Sequence, residues 1–486
     1  MFVRVSIAVG LLSIMTAAAQ ADVWPAAICG EGMVLQQQSR VKIWGTADAG
    51  EMVTVAFRGQ ELATTTDDKR NWSVTVESGA PGGPLVMTIR GKNTIEYAEV
   101  YVGEVWICAG QSNMEYRAGV PSDDSRRIES TPLNPRLHLI SMTTPGPQVI
   151  PRWRDATPKS AAGWSAVAYF FGKSLQEARN VPVGIILAHA AGIRAEAWIP
   201  WDALQKDPAL KPAKWEGGAG GYGAQYDMQI KPVLNYTIRG ACWYQGEADV
   251  AKGYRYRLVL PALINSWREA FGQGDFPFLF VQLPPYKPVD KEPGESEWAE
   301  LRESQRLALR LPNTGMAVMT DWGDEWDLHP QPKYPYGERL ALIARALAYG
   351  EKLEYSGPVF EELMIDGDRA VLRFSHAAGM TPRVLVPRSR AVDGKKTAAM
   401  WRLQEGSPPP NTPLWGFAVC GADNKFHNAE ATIVGDTVVV QAAAVKTPVA
   451  VRFGWADHPL CNLYNSAGLP ASPFRTDDFP GITMGK

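Results

Sequence analysis

The segment GEVWICAGQSNMEY, residues 103–116, runs from a hydrophobic stretch directly into a short polar turn. The valine, tryptophan and isoleucine of its first half favour a β-strand. Ser112 follows that strand, between Gln111 and Asn113. A serine in this place can simply cap a helix or close a turn. The rest of the chain decides whether its hydroxyl has a chemical role.

Strand-like and helix-like segments alternate from about residue 102 to residue 350. The hydrophobic runs are EVWICAG, VPVGIILAHAAG, YTIRGACWYQG, FPFLFVQLPPY and GMAVMTDW, and amphipathic segments such as SAVAYFFGKSLQEARN and YGERLALIARALAYG stand among them. This order predicts an α/β fold with a parallel sheet covered on both faces by helices. Ligands of such sheets bind beyond the carboxyl ends of the strands. Ser112, Gly192, Gln245 and Asp327 each follow a strand, so we expect them at one edge of the sheet.

The two flanking regions have a different pattern. Residues 22–101 and 351–486 alternate short runs rich in valine, threonine and aromatic residues with glycine and proline turns. This pattern is typical of β-sandwich or jelly-roll modules. We therefore predict an N-terminal β-rich domain over 22–101, a catalytic domain over 102–350 and a C-terminal β-rich region over 351–486.

Composition and the first residues limit the classes of function. The 486 residues include 49 basic and 51 acidic ones, so no overall field would hold nucleic acid or an anionic membrane. Residues 1–21 combine Arg4, an apolar run and small residues near Ala21, which predicts a signal peptide cut after Ala21. The mature chain has no later run long enough to span a membrane. We expect a periplasmic or secreted protein.

The cysteines do not suggest a metal site. The chain has five of them, at positions 29, 108, 242, 420 and 461, and no CxxC spacing. Export permits disulfides, so Cys29 could pair with Cys420 or Cys461. The odd number leaves at least one free thiol.

A nucleophilic serine needs a base, and the base works best when a carboxylate orients it. The chain has six histidines, at positions 138, 189, 329, 376, 427 and 458. In DLHP, Asp327 precedes His329 by two residues on a loop after a strand of the α/β region, so we predict a triad of Ser112, His329 and Asp327. His189 and His458 are the rival bases.

Ester cleavage also needs hydrogen-bond donors for the developing oxyanion. The backbone amide of Ser112 is one candidate, and Gly192 in HAAGIR can supply a second. In WYQGEAD, Gln245 is favoured over Asp249, because a carboxylate donates only when it is protonated.

These blocks resemble the sialate O-acetylesterase family, a branch of the SGNH hydrolases. The resemblance is carried by GQSNM, the glycine of HAAGIR, WYQGEAD and DLHPQPKYPYGERLA, and segments such as MQIKPVLNYTIRGACWYQGE and LYNSAGLPASPFRTDD extend it over nearly all of the mature chain. It implies a flavodoxin-like SGNH catalytic domain, acting on acetyl esters of sugars with no metal or cofactor. By position, Ser112 matches the nucleophile, His329 the base and Asp327 its orienting acid. Gly192 and Gln245 match the second and third blocks. The chain departs from the family in having Ala191 before Gly192, Ile193 after it, and Asp249 where asparagine is common.

Substrate recognition is predicted from residues near these blocks. Trp198 and Trp243, with Trp201 and Trp215 close by, could stack on sugar rings. Arg194 could pair with a sugar carboxylate such as that of sialic acid. Asn113 and Glu247 complete the predicted substrate-binding set, although Glu247 could equally support its loop. The expected substrate is an O-acetylated sialic acid; the alternatives are an acetyl-xylan or other hemicellulose esterase and, in another class, a carbohydrate-binding protein without activity.

Overall fold

The computed structural model describes residues 22–131, 134–143, 151–211, 215, 220–392, 396–404 and 406–486, with the side chains of residues 388–400 left undescribed. The predicted signal peptide lies outside the described residues. Within the described ranges, no helix is both long enough and apolar enough to cross a membrane.

Eight strands form the N-terminal region. They are β1 (Trp24–Pro25), β2 (Val34–Gln36), β3 (Arg40–Thr46), β4 (Met52–Phe57), β5 (Gln60–Thr65), β6 (Asn71–Glu77), β7 (Gly82–Arg90) and β8 (Thr94–Gly110). Strands β1, β3 and β6 make one sheet, and β2, β4, β5 and β7 join another through β8. In β6 the buried residues Trp72, Val74 and Val76 alternate with exposed ones, as expected for a strand with one face on the core.

The central sheet contains β8 and six further strands. These are β9 (Asn134–Ser141), β10 (Arg154–Ala156), β11 (Val183–His189), β12 (Gly240–Tyr244), β13 (Phe278–Val281) and β14 (Thr314–Ala317). The order is β10-β9-β11-β8-β12-β13-β14, and every neighbouring pair is parallel except β10 with β9. The predicted α/β fold with a parallel sheet is confirmed at this level. The finer SGNH-type, three-layer assignment stays a prediction.

Eight α-helices accompany these strands in the described residues. They are α1 (Ser112–Glu115), α2 (Asp123–Glu129), α3 (Pro158–Ala161), α4 (Ala166–Arg179), α5 (Trp201–Lys206), α6 (Gly253–Phe271), α7 (Glu297–Leu307) and α8 (Tyr334–Tyr349). The side chain of Ser165 caps α4 by accepting from the amide of Ala168. Helices α4, α6 and α8 end at left-handed residues, Asn180, Gly272 and Gly350, which stop the helical hydrogen-bond pattern.

The C-terminal region contains twelve strands in the part that the structure describes. They are β15 (Val359–Asp366), β16 (Arg369–Ser375), β17 (Thr381–Pro382), β18 (Leu385–Val392), β19 (Lys396–Leu403), β20 (Phe417–Cys420), β21 (Phe426–Asn428), β22 (Glu430–Val434), β23 (Thr437–Gln441), β24 (Ala450–Phe453), β25 (Leu463–Tyr464) and β26 (Phe474–Arg475). Two four-stranded sheets, β15-β16-β23-β22 and β21-β20-β24-β26, enclose a hydrophobic core separate from the larger one that unites the N-terminal strands and the α/β region.

Three features differ from a simple chain of modules. The predicted boundary between residues 101 and 102 falls inside β8, one continuous strand of 17 residues. Residues 134–141, which are not among the hydrophobic runs from which strands were predicted, form β9 of the sheet. All five cysteines lie in the described residues as buried free thiols, so the suggested bridge from Cys29 to Cys420 or Cys461 is absent.

Candidate active site

The carboxyl edge of the central sheet brings the predicted blocks together. Ser112 is the first residue of α1 and comes two residues after β8. The turn depends on Gly110, because a Cβ there would lie 2.0 Å from the carbonyl oxygen of Tyr244 on the neighbouring strand. The amide of Gln111 donates to the same carbonyl at 3.1 Å. Only a glycine lets the chain cross so close to β12 and place the serine at the rim.

The hydroxyl of Ser112 contacts the ring of His329. The distance from Ser112 Oγ to His329 Nε2 is 2.9 Å, although the two residues are 217 positions apart. Asp327 lies on the other side of the ring, with Oδ1 3.8 Å from His329 Nδ1, and this oxygen accepts the backbone amide of His329 at 2.8 Å. The arrangement has the order hydroxyl, imidazole, carboxylate. The carboxylate of Asp327 therefore hydrogen-bonds the backbone of the loop, while its distance to the imidazole is longer than a hydrogen bond.

The surroundings of His329 favour the neutral imidazole. Burial lowers the pKa of His329, and the nearby cation of Lys333 lowers it further, while Asp327 acts in the opposite direction. Tyr116 stacks against the ring with centroids 6.1 Å apart and planes at 25°. A neutral ring is the form that can accept a proton from a hydroxyl.

The two rival histidines are engaged elsewhere. Nδ1 of His189 lies 3.3 Å from the carboxylate of Glu115. Nδ1 of His458 hydrogen-bonds the carbonyl of Lys287 at 2.9 Å, in the C-terminal region. Of the three candidate bases, His329 is the one hydrogen-bonded to Ser112.

The two other predicted oxyanion donors, Gly192 and Gln245, have different surroundings in the structure. Gly192 has a φ of +68°, and a Cβ there would meet no atom within 4 Å, so one side of this residue is open. Gln245 is fully buried, and its amide nitrogen already donates to the carbonyl of Ile193 and to Asp249. The amide oxygen of Gln245 accepts from Tyr256 at 2.9 Å. Direct donation from Gln245 to an oxyanion disagrees with this placement, because both of its N–H groups are in use.

Arg194 is held inside the protein instead of facing a ligand. It is only 9% exposed, and its Nε lies 2.9 Å from Asp249 and 3.8 Å from Glu196. Asp249 also accepts the amide of Ala195 at 3.0 Å. Burial raises the pKa of Asp249 to about 6, and Glu196 adds to this shift. The predicted role of Arg194 as the partner of a substrate carboxylate disagrees with these contacts.

Two of the predicted stacking residues are core residues. Trp198 and Trp243 are completely buried and pack edge to face with centroids 5.6 Å apart. They cannot offer a face to a sugar in this conformation. Trp201 is 48% exposed and lies with Trp215 around Tyr222, so these aromatic residues remain accessible.

A buried polar cluster behind Ser112 contains Lys333, a residue that was not predicted from the sequence. Lys333 is fully buried, and its ammonium donates to the side-chain oxygen of Asn113 at 2.5 Å. The amide nitrogen of Asn113 donates to Glu247 and, at 3.0 Å, to the carbonyl of Leu328, the residue before His329. Asn113 and Glu247, expected to bind substrate, therefore join the Ser112 turn to the His329 loop. Lys333 stands in DLHPQPK, but nothing in that spacing indicates that it turns inward.

Burial dominates the charges of this cluster. Burial lowers the pKa of Lys333 to about 7 and raises that of the partly buried Glu247. The rings of Tyr116, Tyr244 and Tyr336 surround the ammonium, with centroids 4.9 to 5.5 Å from Nζ. Aromatic faces stabilise a desolvated cation.

Comparisons with known proteins agree on one chemical class. A family model described as carbohydrate esterase, sialic acid-specific acetylesterase, matches residues 102–343. The crystal structure of a carbohydrate acetylesterase from Xanthomonas citri superposes with a TM-score of 0.81 at 34% identity, covering 94% of this chain and all of the other. Sialate O-acetylesterase from Homo sapiens is 28% identical over 511 residues, with 92% of each chain covered. The Mus musculus enzyme is 26% identical over 523 residues, with 91% of this chain and 92% of the other covered.

The α/β fold and these matches define the protein as a carboxylic ester hydrolase of the carbohydrate esterase class. More narrowly, the chain belongs to the sialic acid-specific acetylesterase family.

Proposed function

We propose that this protein removes O-acetyl groups from sugars by a serine mechanism that uses Ser112, His329 and Asp327. The observation that carries the proposal is the 2.9 Å contact between Ser112 Oγ and His329 Nε2 at the carboxyl edge of the sheet. A base must lie within about 2.6 to 3.2 Å of the proton donor to act in the transition state, and this pair meets that condition.

The reaction has two halves. His329 Nε2 takes the proton of Ser112 while Oγ forms a bond to the acetyl carbonyl carbon. The tetrahedral intermediate collapses as the bond to the sugar oxygen breaks, and His329 returns the proton to that oxygen. Water then attacks the acetyl-enzyme with His329 as base, releasing acetate and restoring the Ser112 hydroxyl.

The oxyanion is assigned to backbone donors. The amide of Ser112 lies at the start of α1, and the open side of Gly192 leaves room for a carbonyl oxygen. Gln245 acts indirectly, because it holds Asp249 and the carbonyl of Ile193, the residue after Gly192. We therefore revise its role from oxyanion donor to support for the Gly192 loop.

Asn113 holds the two halves of the site in register. Its hydrogen bonds reach Leu328 on the histidine loop and Glu247 in the third block, while Lys333 binds its oxygen. The four groups are buried or partly buried, so their geometry is insulated from water. In this proposal they position Ser112 against His329 and do not touch the substrate.

The favoured substrate class is the one named for the relatives, an O-acetylated sialic acid. A specific observation keeps a second candidate open. Arg194, which the sequence offered for a sialic acid carboxylate, is neutralised by Asp249 and Glu196. An acetylated hemicellulose needs no such cation, so an acetyl-xylan or related esterase is the alternative. Export to the periplasm or medium, expected from residues 1–21, would bring the enzyme to either substrate.

A variant with Ser112→Ala tests the mechanism. We expect hydrolysis of p-nitrophenyl acetate to fall by at least about 10³-fold, because the covalent step is lost. Ser73→Ala, at an exposed position of β6, is the matched control and should keep full activity. A fluorophosphonate probe should label the wild type and not the Ser112 variant.

Substantial residual activity in a well-folded Ser112→Ala protein would overturn the mechanism. If the wild type neither hydrolyses the ester nor reacts with the probe, the result would favour the alternative of a carbohydrate-binding protein without activity. Acetate release from O-acetylated sialic acid and from acetylated xylan, compared at equal enzyme concentration, would separate the two substrate classes.

A further inference from the structure

A cavity lies apart from Ser112, His329 and Asp327, where the loop of residues 289–294 meets the C-terminal strands. Its volume is about 360 Å³, within the roughly 300 to 1,000 Å³ typical of small-ligand sites. Five aromatic residues line it: Trp401, Trp415, Phe417, Phe426 and Trp455. None of them belongs to the blocks that form the candidate active site.

The aromatic wall is held in place by a buried ion-pair network. The guanidinium of Arg452 lies 4.1 Å from the ring centroid of Phe426 and 4.8 Å from that of Trp455. The same guanidinium is hydrogen-bonded to Asp477 and Glu295 at 2.8 to 3.0 Å. The network holds Phe426 and Trp455 in place before any ligand arrives, which lowers the entropic cost of binding.

The cavity also offers a polar group. His458 lines the wall and uses Nδ1 to donate to the carbonyl of Lys287, so the neutral ring keeps Nε2 as an acceptor. A ligand with an apolar face and a hydroxylated edge would pack on the rings and could donate a hydrogen bond to His458 Nε2.

The charges at the cavity favour a neutral ligand over an acidic one. The cation Arg452 is already paired with Asp477 and Glu295. The exposed loop across the opening carries Asp290 and Glu292 against a single Lys291. A carboxylated sugar would find no free buried cation among these lining residues.

The cavity wall is connected to the histidine loop. Arg402, the neighbour of Trp401 in β19, donates to the carbonyls of Gly323 and Gln331, each at 2.9 Å. Gln331 is two residues from His329. One strand therefore contributes both to the cavity and to the support of the catalytic loop.

We propose that this cavity binds one pyranose unit of a neutral glycan chain, at a distance from the acetyl group that is removed. The inference rests on the proposed carbohydrate esterase function and adds a second contact for polymeric substrates. Two linked contacts raise the effective concentration of the chain at the first site. The enzyme should then prefer polymers to small acetyl esters.

The test measures binding and catalysis separately. In the Ser112→Ala background, xylohexaose and cellohexaose are titrated by calorimetry, and we expect saturable binding of at least one of them. Trp415→Ala should weaken that binding about tenfold, the loss expected for one aromatic contact worth about 1.4 kcal/mol. Trp24→Ala, 63% exposed in β1, is the control and should bind normally.

In the active enzyme, Trp415→Ala should raise KM for acetylated xylan or acetylated glucomannan at least about fivefold and leave p-nitrophenyl acetate hydrolysis within twofold. Equal losses on both kinds of substrate, or no oligosaccharide binding by a folded Ser112→Ala protein, would overturn the proposal. Binding of free N-acetylneuraminic acid in place of the neutral oligosaccharides would also overturn it. Failure of the proposed function would show differently, as a wild type without esterase activity.

Discussion

Replacing Lys333 by methionine probes the buried cluster behind the nucleophile. Methionine has a similar length and fills the same aromatic enclosure but carries no charge and no donor. The substitution leaves the oxygen of Asn113 without the ammonium that binds it at 2.5 Å. It also leaves Glu247 without the nearby cation.

The pH dependence of stability gives the size and sign of the effect. Burial lowers the pKa of Lys333 from the ordinary 10.5 to about 7. Below pH 7 the amine is protonated in both the folded and the unfolded chain, so the full cost of burying the ammonium is present. Between pH 7 and 10.5 the unfolded chain binds the proton more strongly. The wild type therefore gains stability relative to the variant as pH rises, by up to about 1.4 kcal/mol per pH unit.

Urea unfolding of both proteins at pH 6, 7.5 and 9 measures this difference. We expect the free energy of unfolding of the wild type, minus that of Lys333→Met, to stay level up to pH 7 and to rise by about 2 to 3 kcal/mol by pH 9. Lys231→Met, at an exposed position paired with Asp227, is the matched control and should show no such rise. A difference that stays constant from pH 6 to 9 would refute the assignment of a depressed amine.

Catalysis by the same variant reports on positioning. Because Asn113 links the serine turn to Leu328, loosening it should misalign Ser112 and His329 and lower kcat for p-nitrophenyl acetate about 10²-fold with little change in KM. A variant with full kcat would show that Lys333 has only a structural role.

Three further predictions concern other parts of the site. Asp327→Asn should lower kcat about 10²-fold. Because the carboxylate of Asp327 raises the pKa of His329, removing that charge should also move the acidic limb of the pH–activity profile to lower pH. Arg194→Met leaves Asp249 without its cation and should cost about 3 to 5 kcal/mol in the free energy of unfolding, whereas an unchanged melting temperature would contradict the buried ion pair. Titration of the unfolded, unreduced protein with a thiol reagent should count five free cysteines, and reductant should leave the melting temperature unchanged.

The sequence predicted those parts of the molecule that depend on local pattern. Hydrophobic runs followed by polar turns located the strands that carry Ser112 and Gln245, and the two-residue spacing of Asp327 and His329 placed acid and base on one loop. Residues that follow parallel strands lie at one edge of the sheet, so Ser112 and the Asp327–His329 loop were expected near each other, whereas the strand order was not predicted.

The remainder depends on the direction in which long side chains turn, which spacing does not encode. Arg194 and Gln245 point toward Asp249 and Ile193 instead of the substrate, and Lys333 turns inward although lysine is rarely buried. Strand β9 was not predicted because it buries only four residues, one of them His138, in a stretch rich in prolines and charges. In each case a tertiary contact outweighs the local pattern.

Strand β8 has a consequence for the behaviour of the whole molecule. Its first residues pair with β7 and β2, and its last residues pair with β11 and β12 before delivering Ser112. The N-terminal strands thus help to hold Ser112 in place, and they are not a separable module. Deleting them would leave half of a shared strand without partners, so heat or denaturant should melt both regions in a single cooperative transition.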